Sequence, residues 1–323
     1  MTIVSENEKI FEHYVKLPEK ARMVVINKMQ PDDRCRFTRC SKNCSKEAKM
    51  SKNFIYELKL KASIFDITTK IEVTYNKYHE SNKDQRQGYI LEFKRTENVV
   101  RLRYFNREMV ELWSTDLDSS IDIAQYDIRH FKKLLQCYQN KIKQLELIEI
   151  CRSDDLKNFD FEIESFTNLE ELRILGGFDI LQFLSKLHFP LKKLSIYDIF
   201  NQDMFSECEA IYKVQNELSL ISTHLTSAQF SKLSAKNVDI PLGNLTEKDI
   251  FDFICSWQNG TIGREIGIYI WWFPIKESSF SIERLLNLLK LQPSLKDVII
   301  NHHKQAGETA SFHILPSALI FSA

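Results

Sequence analysis

The chain has 323 residues, 43% of them hydrophobic, and its 44 basic and 44 acidic residues leave no formal net charge. This length is enough for one large elongated domain or two ordinary ones. No apolar run reaches the roughly 20 residues that cross a bilayer, and the N-terminal stretch MTIVSENEKIFEHYV lacks the plan of a secretory signal. The seven cysteines are odd in number and scattered, which is typical of reduced thiols. We therefore expect a cytoplasmic or nuclear protein with no membrane partner.

Residues 17–42 predict two helices joined by a Pro-Asp turn. Pro18 suits the first position of a helix, and Pro31 ends that helix. Apolar side chains then cover much of the first helix, and Phe37 points inward from the second. A segment of about forty residues has too much apolar surface and too little mass to bury it alone.

The surrounding residues 16–61 hold 13 basic and 5 acidic residues. They carry no recognised nucleic-acid motif, so we expect a protein partner rather than nucleic acid.

This pattern resembles an F-box. The match is carried by Leu17-Pro18 at the opening, the aliphatic pair Val25-Ile26, Met29 before the turn, Pro31 and Asp33 in the turn, Phe37 in the second helix and Ser41-Lys42 at the close. Arg34 and Cys35 stand where the family usually has leucines. The resemblance implies that the segment binds a Skp-type adaptor and, through it, a cullin–RING ubiquitin ligase. The implied adaptor-binding residues are Leu17, Pro18, Met23, Val25, Ile26, Met29, Pro31 and Phe37.

Residues 54–113 predict an antiparallel β-meander. Segments such as KIEVTYNKY, GYILEFKR and NVVRLRYF are short, alternating and rich in β-branched and aromatic residues. Lys, Glu and Arg at alternate positions indicate one solvated face. We expect a structural sheet that joins the N-terminal module to the second half of the chain.

From about residue 126 a short phrase recurs, in which an aliphatic–x–aliphatic pair follows a hydrophobe. Copies end at Leu145-x-Leu147, Leu172-x-Ile174, Leu194-x-Ile196, Leu218-x-Leu220, Val238-x-Ile240, Ile266-x-Ile268 and Val298-x-Ile300. Their spacing of roughly 20 to 32 residues, with helical patterns between them, is typical of leucine-rich repeats. We therefore predict an irregular arc of parallel strands and helices. An ordinary α/β domain whose strands merely look alike is the alternative.

The clearest predicted helix runs from Thr246 to Trp257. Thr246-x-x-Asp249 is a form of capping box, and apolar residues follow at helical spacing: Ile250, Phe253, Ile254 and Trp257. The stretch from Leu245 to Ile270 also resembles the core of the F-box-associated domain that is abundant in nematodes. Leu245, Thr246, Asp249, Phe253, Trp257 and Gly260 carry that match.

The middle residue of each aliphatic–x–aliphatic phrase points away from the core, since side chains alternate along a strand. This places Glu146, Arg173, Ser195, Ser219, Asp239, Gly267 and Ile299 on the outward side, with Tyr197, Tyr269 and Trp271 close to the same phase. From these we predict target-binding residues Glu146, Arg173, Ser195, Tyr197, Asp239, Tyr269 and Trp271, since aromatic residues and Arg are typical binding anchors. At least one of Trp271 and Trp272 is expected to be buried, because neighbours on a strand face opposite sides.

No motif of a known enzyme class occurs: there is no G-x-S-x-G, Walker loop or H-E-x-x-H. Cys35, Cys40 and Cys44 lack a clear fourth ligand for zinc, and His302, His303 and His313 suit polar loops, so we expect no metal and no cofactor. We expect no enzymatic activity.

The predicted fold class is α+β or α/β, in three parts. Residues 1–52 form a helical F-box module, residues 53–120 an antiparallel linker sheet, and residues 121–323 a leucine-rich-repeat-like domain. The predicted function is the substrate-recognition subunit of a Skp–cullin–F-box ligase that binds a protein target through its repeats. The alternatives are a repeat scaffold without ligase coupling, whose N-terminal helices only cap the core, and an antidote-type receptor that neutralises its target.

Overall fold

The computed structural model shows a protein whose predominant secondary structure is the β-strand. Strands hold 44% of the described residues, and helices hold 28%. The chain divides into two compact units, Met1–Leu145 with Ser165–Asn168 and Glu146–Glu164 with Leu169–Ala323. The structure describes residues 14, 16–29, 33–34, 37, 40, 42–50, 55–63, 68–76, 86–96, 99–106, 108–117, 129–131, 134–135, 142–148, 168–175, 184, 187, 190–197, 208–221, 224–273, 280–292, 297–301 and 309–323.

Two short helices open the first unit: α1 at Glu19–Lys28 and α2 at Lys42–Met50. Pro18 directly precedes α1, where its missing N–H leaves no helical hydrogen bond unmade. The helices share a small core made of Tyr14, Ile26, Phe37, Cys44 and Ala48, against which Leu17, Met23 and Met29 pack. The Tyr14 ring meets the Phe37 ring edge-on, at 4.9 Å between centroids.

Polar contacts close this small core. The Glu47 carboxylate accepts from the Tyr14 hydroxyl at 2.6 Å and from Arg22 Nε at 2.8 Å. Arg34 is almost completely buried, and its Nη2 donates to the carbonyl oxygens of Ile26 at 2.9 Å and Met29 at 3.2 Å. The last carbonyls of a helix lack partners within the helix, and Arg34 donates to two of them, although the Ile26 carbonyl also accepts from the Met29 N–H at 3.1 Å.

Five antiparallel strands follow in the first unit, paired in chain order: β1 (Ile55–Ser63), β2 (Thr68–Asn76), β3 (Arg86–Arg95), β4 (Val100–Asn106) and β5 (Glu111–Leu117). One side of β2, β3 and β4 is buried, including Ile71, Leu91 and Leu102, whereas the other carries charged residues. The alternating sequence therefore forms a sheet with one solvated face, as predicted for this stretch. Strand β6 (Ile142–Ile148) spans the division between the units.

The second unit contains parallel and antiparallel strands. Its strands are β7 (Glu171–Leu175), β8 (Lys193–Tyr197), β9 (Glu217–Leu220), β10 (Asn237–Pro241), β11 (Ile268–Trp272), β12 (Asp297–Asn301), β13 (Thr309–Ile314) and β14 (Ala318–Ser322). Strands β7 to β11 lie side by side and parallel. Strand β14 then pairs antiparallel with β11 on one side and with β13 on the other, and β12 is outermost.

Four described helices accompany these strands: α3 (Glu209–Tyr212), α4 (Ser227–Phe230), α5 (Glu247–Gln258) and α6 (Ile282–Leu288). Helix α5 has the predicted capping box, in which Thr246 accepts from the Asp249 N–H and Asp249 accepts from the Thr246 N–H. The aromatic rings of Phe253 and Trp257 on α5 pack against Tyr269, Trp271 and Phe321 of the sheet. This aromatic layer forms the centre of the second unit's core.

The predicted fold class is wrong. Within the described part of residues 1–52, two short helices replace a helical F-box bundle, and strands dominate the chain. The second unit is a mixed sheet rather than a leucine-rich-repeat-like arc, because its last three strands, β12 to β14, pair antiparallel. The short aliphatic phrases predict where strands lie. Whether a strand runs parallel or antiparallel to its neighbour depends instead on the chain segment that connects them. Two of the described helices, α3 and α4, have only four residues.

No helix in the described residues is both long enough and apolar enough to cross a membrane.

Replacing Arg34 with methionine should lower the free energy of unfolding by about 1 to 3 kcal/mol, because the carbonyls of Ile26 and Met29 lose a charged donor. Urea denaturation of the full chain measures this change. The matched control is Lys20→Met on the exposed side of α1, which should stay within about 0.5 kcal/mol of the wild type. Equal effects of the two substitutions would contradict the structural role of Arg34.

Because of Tyr269, the stability of the second unit should decrease at high pH. Burial raises the pKa of its hydroxyl to about 12, against an ordinary value near 10. The folded state therefore holds this proton more tightly than the unfolded state, so the associated stability is complete below about pH 10 and is lost as the pH rises towards 12.

Tyr269→Phe should consequently lose less free energy of unfolding between pH 10 and 12 than the wild type, by about 2 kcal/mol. At pH 7 the variant should be less stable by about 1 kcal/mol, because the hydroxyl donates to the Ala235 carbonyl and accepts from Arg264. Denaturation across this pH range tests both statements. Parallel curves for the two proteins would show that Tyr269 does not titrate in this way.

Candidate functional site

One side of the second unit's strands faces away from the buried core, and we call it the open face. On β10, Val238 and Ile240 are buried, so Asp239 between them points the other way. The strand register places one residue of each neighbouring strand in line with Asp239. This row consists of Arg173, Ser195, Ser219, Asp239, Ile270, Ile320, His313 and Asp297.

One end of the open face is polar. Arg173 Nη1 lies 3.2 Å from the carboxylate of Glu146, and the Arg173 guanidinium lies over the Tyr197 ring at 5.3 Å from its centroid. Glu146 is buried, whereas about half of the Arg173 side chain is exposed. The guanidinium is thus held in place by a buried carboxylate and an aromatic ring, while part of it remains accessible.

Asp239 organises the middle of the open face. Its carboxylate accepts from the Ser219 hydroxyl at 3.2 Å and from the indole N–H of Trp272. These contacts link β9, β10 and β11 across the surface and fix the orientation of the Trp272 ring. Trp272 keeps 40% of its surface exposed.

The other end of the open face is apolar. Ile268 is exposed, and Ile270 and Ile320 are half-buried next to it. Two strands further, Ile299 on β12 is 75% exposed. Exposed aliphatic residues grouped on one surface, with a tryptophan between them and polar groups, are typical of a protein-binding site.

The structure places the predicted target-binding residues in two groups. Arg173, Ser195, Tyr197 and Asp239 lie on the open face, and Glu146 is buried but contacts Arg173. Tyr269 and Trp271, by contrast, are fully buried on the opposite side, against α5. The expectation that these two residues point outward is therefore corrected.

The error at β11 has a local cause. Ile266 precedes the strand and is buried together with Gly267, so the phrase Ile266-x-Ile268 is out of phase with the other copies. Sequence reasoning consequently missed Ile268, Ile270 and Trp272 on the open face. The run IYIWW is apolar at every position, which gives no alternation from which the outward residues can be chosen. The hydrogen bond of Trp272 to Asp239 and the packing of Trp271 against α5 distinguish the two tryptophans.

The predicted adaptor-binding residues are also divided. Ile26 and Phe37 lie inside the small core of the first unit, and Leu17, Met23 and Met29 are half-buried against it. Pro18 and Val25 are exposed, Val25 at 37%. Val24, which the F-box pattern does not single out, is exposed at 55%. Pro31 lies outside the described residues.

A cleft of about 510 Å³ lies between α4, α5 and the segment 261–264. Its acidic residues already have partners, since Asp249 caps α5 and Asp252 pairs with Lys248 at 2.6 Å. Arg264 at the same cleft donates to the Tyr269 hydroxyl at 2.8 Å. The charged groups of the cleft described here therefore contact other residues of the protein and support the fold.

Among the described residues, no group of three His, Cys, Asp or Glu side chains is arranged to hold a metal ion. Cys208 and Cys255 are free thiols.

Comparison with models of protein families, with characterised proteins and with solved structures found no match for this chain.

The two neighbouring tryptophans should respond differently to truncation. Trp271→Ala should lower the free energy of unfolding by about 3 to 5 kcal/mol, because it empties a buried site beneath α5. Trp272→Ala should lower it by about 1 kcal/mol, since the ring is partly exposed. Urea denaturation of both variants measures the difference, and a larger loss for Trp272→Ala would reverse our assignment of the open face.

Proposed function

We propose that this chain is a non-enzymatic substrate-recognition subunit of a Skp–cullin–F-box ubiquitin ligase. The N-terminal helices would bind the Skp-type adaptor, and the open face would bind a protein target. The observation that carries the adaptor half is the exposure of Val24 and Val25 on α1, within the segment whose sequence resembles an F-box. Adjacent exposed aliphatic side chains on a helix suit contact with another chain.

The open face supports the target half of the proposal. It presents Trp272 and Arg173, residue types that are enriched at the energetic centre of protein interfaces. Both are held before any partner arrives: Trp272 by its hydrogen bond to Asp239, and Arg173 by Glu146 and Tyr197. Anchors that are already ordered lose less conformational entropy on binding.

In this proposal, catalysis belongs to other subunits of the ligase. The chain would contribute proximity by raising the effective concentration of the target near the ubiquitin donor. A target could be degraded in this way or, in an antidote-type receptor, neutralised by being held.

A second candidate function is a protein-binding scaffold without ligase coupling. The observation that favours it is the position of Ile26 and Phe37, which fill the chain's own core although the resemblance implies adaptor contact for both. The open face would then bind its target with no adaptor on the N-terminal helices.

The two functions differ in whether a purified Skp-type adaptor binds the full chain. Under the ligase proposal, the double variant Val24→Asp with Val25→Asp should weaken adaptor binding by at least about ten-fold, because two charges would be buried in an apolar contact. Biolayer interferometry with immobilised adaptor measures this change. Ile26→Asp is unsuitable as a test, since Ile26 is fully buried and its replacement would disrupt the small core.

Val110→Asp is the matched control. Val110 is also exposed at 55%, but it lies in the turn between β4 and β5. Absence of adaptor binding by the wild-type chain would favour the scaffold over the ligase subunit. Adaptor binding that survives the double variant would show that Val24 and Val25 do not form the adaptor contact.

A further inference from the structure

Strand β5 in the first unit has one edge with which no described strand pairs, and we call it the open edge. It pairs with β4 on one side and is the last strand in the order of this unit, so none of the described strands pairs with its other side. Its residues 111–116 are all exposed. An edge strand carries unpaired backbone N–H and C=O groups that can accept another strand. Many proteins protect such edges with Lys, Pro or a short strand, whereas β5 has seven residues and contains neither Lys nor Pro.

Ion pairs between charged side chains cross the solvated face of this sheet towards β5. In one row Lys70 pairs with Glu92 at 2.9 Å, Glu92 pairs with Arg103, and Arg103 lies 3.9 Å from Glu111 on β5. In a second row Arg101 on β4 pairs with Asp116 on β5 at 2.7 Å, whereas the residue opposite Arg101 on β3 is the basic Lys94. Both rows end at the open edge with a carboxylate, so a basic residue would come next in each.

Aromatic rings form a third row on the other face of the sheet. Tyr89 stacks on Tyr104 at 5.2 Å between centroids, and Tyr104 stacks on Trp113 at 5.5 Å with the rings 5° from parallel. Trp113 lies on β5, and its ring is 38% exposed. The stack therefore ends at the open edge with a ring that a further planar side chain can cover.

The turn that leads into β5 adds an apolar border. Met109 and Val110 are exposed, and the Val110 N–H donates to the Asn106 side chain at 2.8 Å. Met109 has a φ of 63°, in the left-handed region that residues with a Cβ rarely adopt. A methionine held outward in a position that suits glycine points to a role for its side chain beyond the turn itself.

We propose that β5 accepts an extended segment of a partner protein as an added strand. The segment would carry basic residues opposite Glu111 and Asp116 and a planar side chain against Trp113. A second copy of this chain does not suit the edge: β5 contains no Lys or Arg, so antiparallel pairing of two copies would bring four carboxylates together without a basic residue of either strand. The site shares no residue with the adaptor and target contacts proposed above and does not depend on them.

The register of β4 and β5 defines a probe peptide. Asp116 and Trp113 are three residues apart, and the irregularity near Leu112 brings Glu111 to the same face as Asp116. An antiparallel strand therefore needs a basic residue, an aromatic residue three positions later and a second basic residue directly after it. The peptide Thr-Lys-Val-Thr-Tyr-Lys-Val-Thr meets this pattern, and its partner peptide has Glu in place of both Lys.

Binding of each fluorescently labelled peptide to the full chain can be followed by anisotropy at low salt. We expect the Lys peptide to bind about ten-fold more tightly than the Glu peptide, since opposite charges across two strands attract and like charges repel. The double variant Glu111→Lys with Asp116→Lys should reverse this order. Glu209→Lys with Glu283→Lys makes the same charge change at exposed positions of α3 and α6, and this control should leave the preference unchanged.

Hydrogen exchange provides a second measurement that needs no variant. Binding of the Lys peptide to the wild-type chain should slow exchange of the β5 amides, because an added strand pairs with backbone groups. Each of the following results would overturn the proposal: no difference between the peptides, no reversal in a double variant that remains folded, or protection elsewhere than β5. A dimer in sedimentation that buries β5 would overturn it in favour of a second copy.

Discussion

Alternation of side chains along the strands is the constraint on which the second unit's surface depends. Because Val238 and Ile240 enter the core, Asp239 must face outward, and the register carries this phase to every neighbouring strand. The same alternation of side chains thus determines both the core beneath α5 and the open face. A shift of β11 by one residue would exchange Trp271 with Trp272 and place an indole N–H away from the Asp239 carboxylate. The aromatic layer and the outward polar contacts therefore support the same register.

Elements whose signals are local could be predicted from the sequence. Helix α5 has its cap, its helical spacing and its end within one short stretch, and Ile250, Phe253, Ile254 and Trp257 are buried as that spacing predicts. The antiparallel strands of residues 55–117 likewise follow from alternation within each strand. In both cases the residues that determine the structure are neighbours in the chain, so no distant contact has to be known.

Features that depend on distant partners could not be predicted in the same way. The apolar run of β11 does not itself indicate which residues face outward. That side is decided by Asp239 on another strand and by packing against α5. The direction of β12 to β14 depends on how the chain returns, which the aliphatic phrases do not encode. Arg34 is a third case: its position looks like a departure from an apolar pattern until the two carbonyls that it meets are known.

The N-terminal segment has a small core of its own, to which the contacts of Arg34 belong. The sequence suggested a segment that cannot bury its apolar residues alone, yet Tyr14, Ile26 and Phe37 form a core with α2. Glu47 joins Tyr14 to Arg22, and Arg34 completes the end of α1. Under the proposed function, the fold of this segment and its contact with the adaptor would therefore depend on different residues. Ile26 and Arg34 serve the fold, whereas Val24 and Val25 are available to another chain, so a loss of binding can be distinguished from a loss of structure.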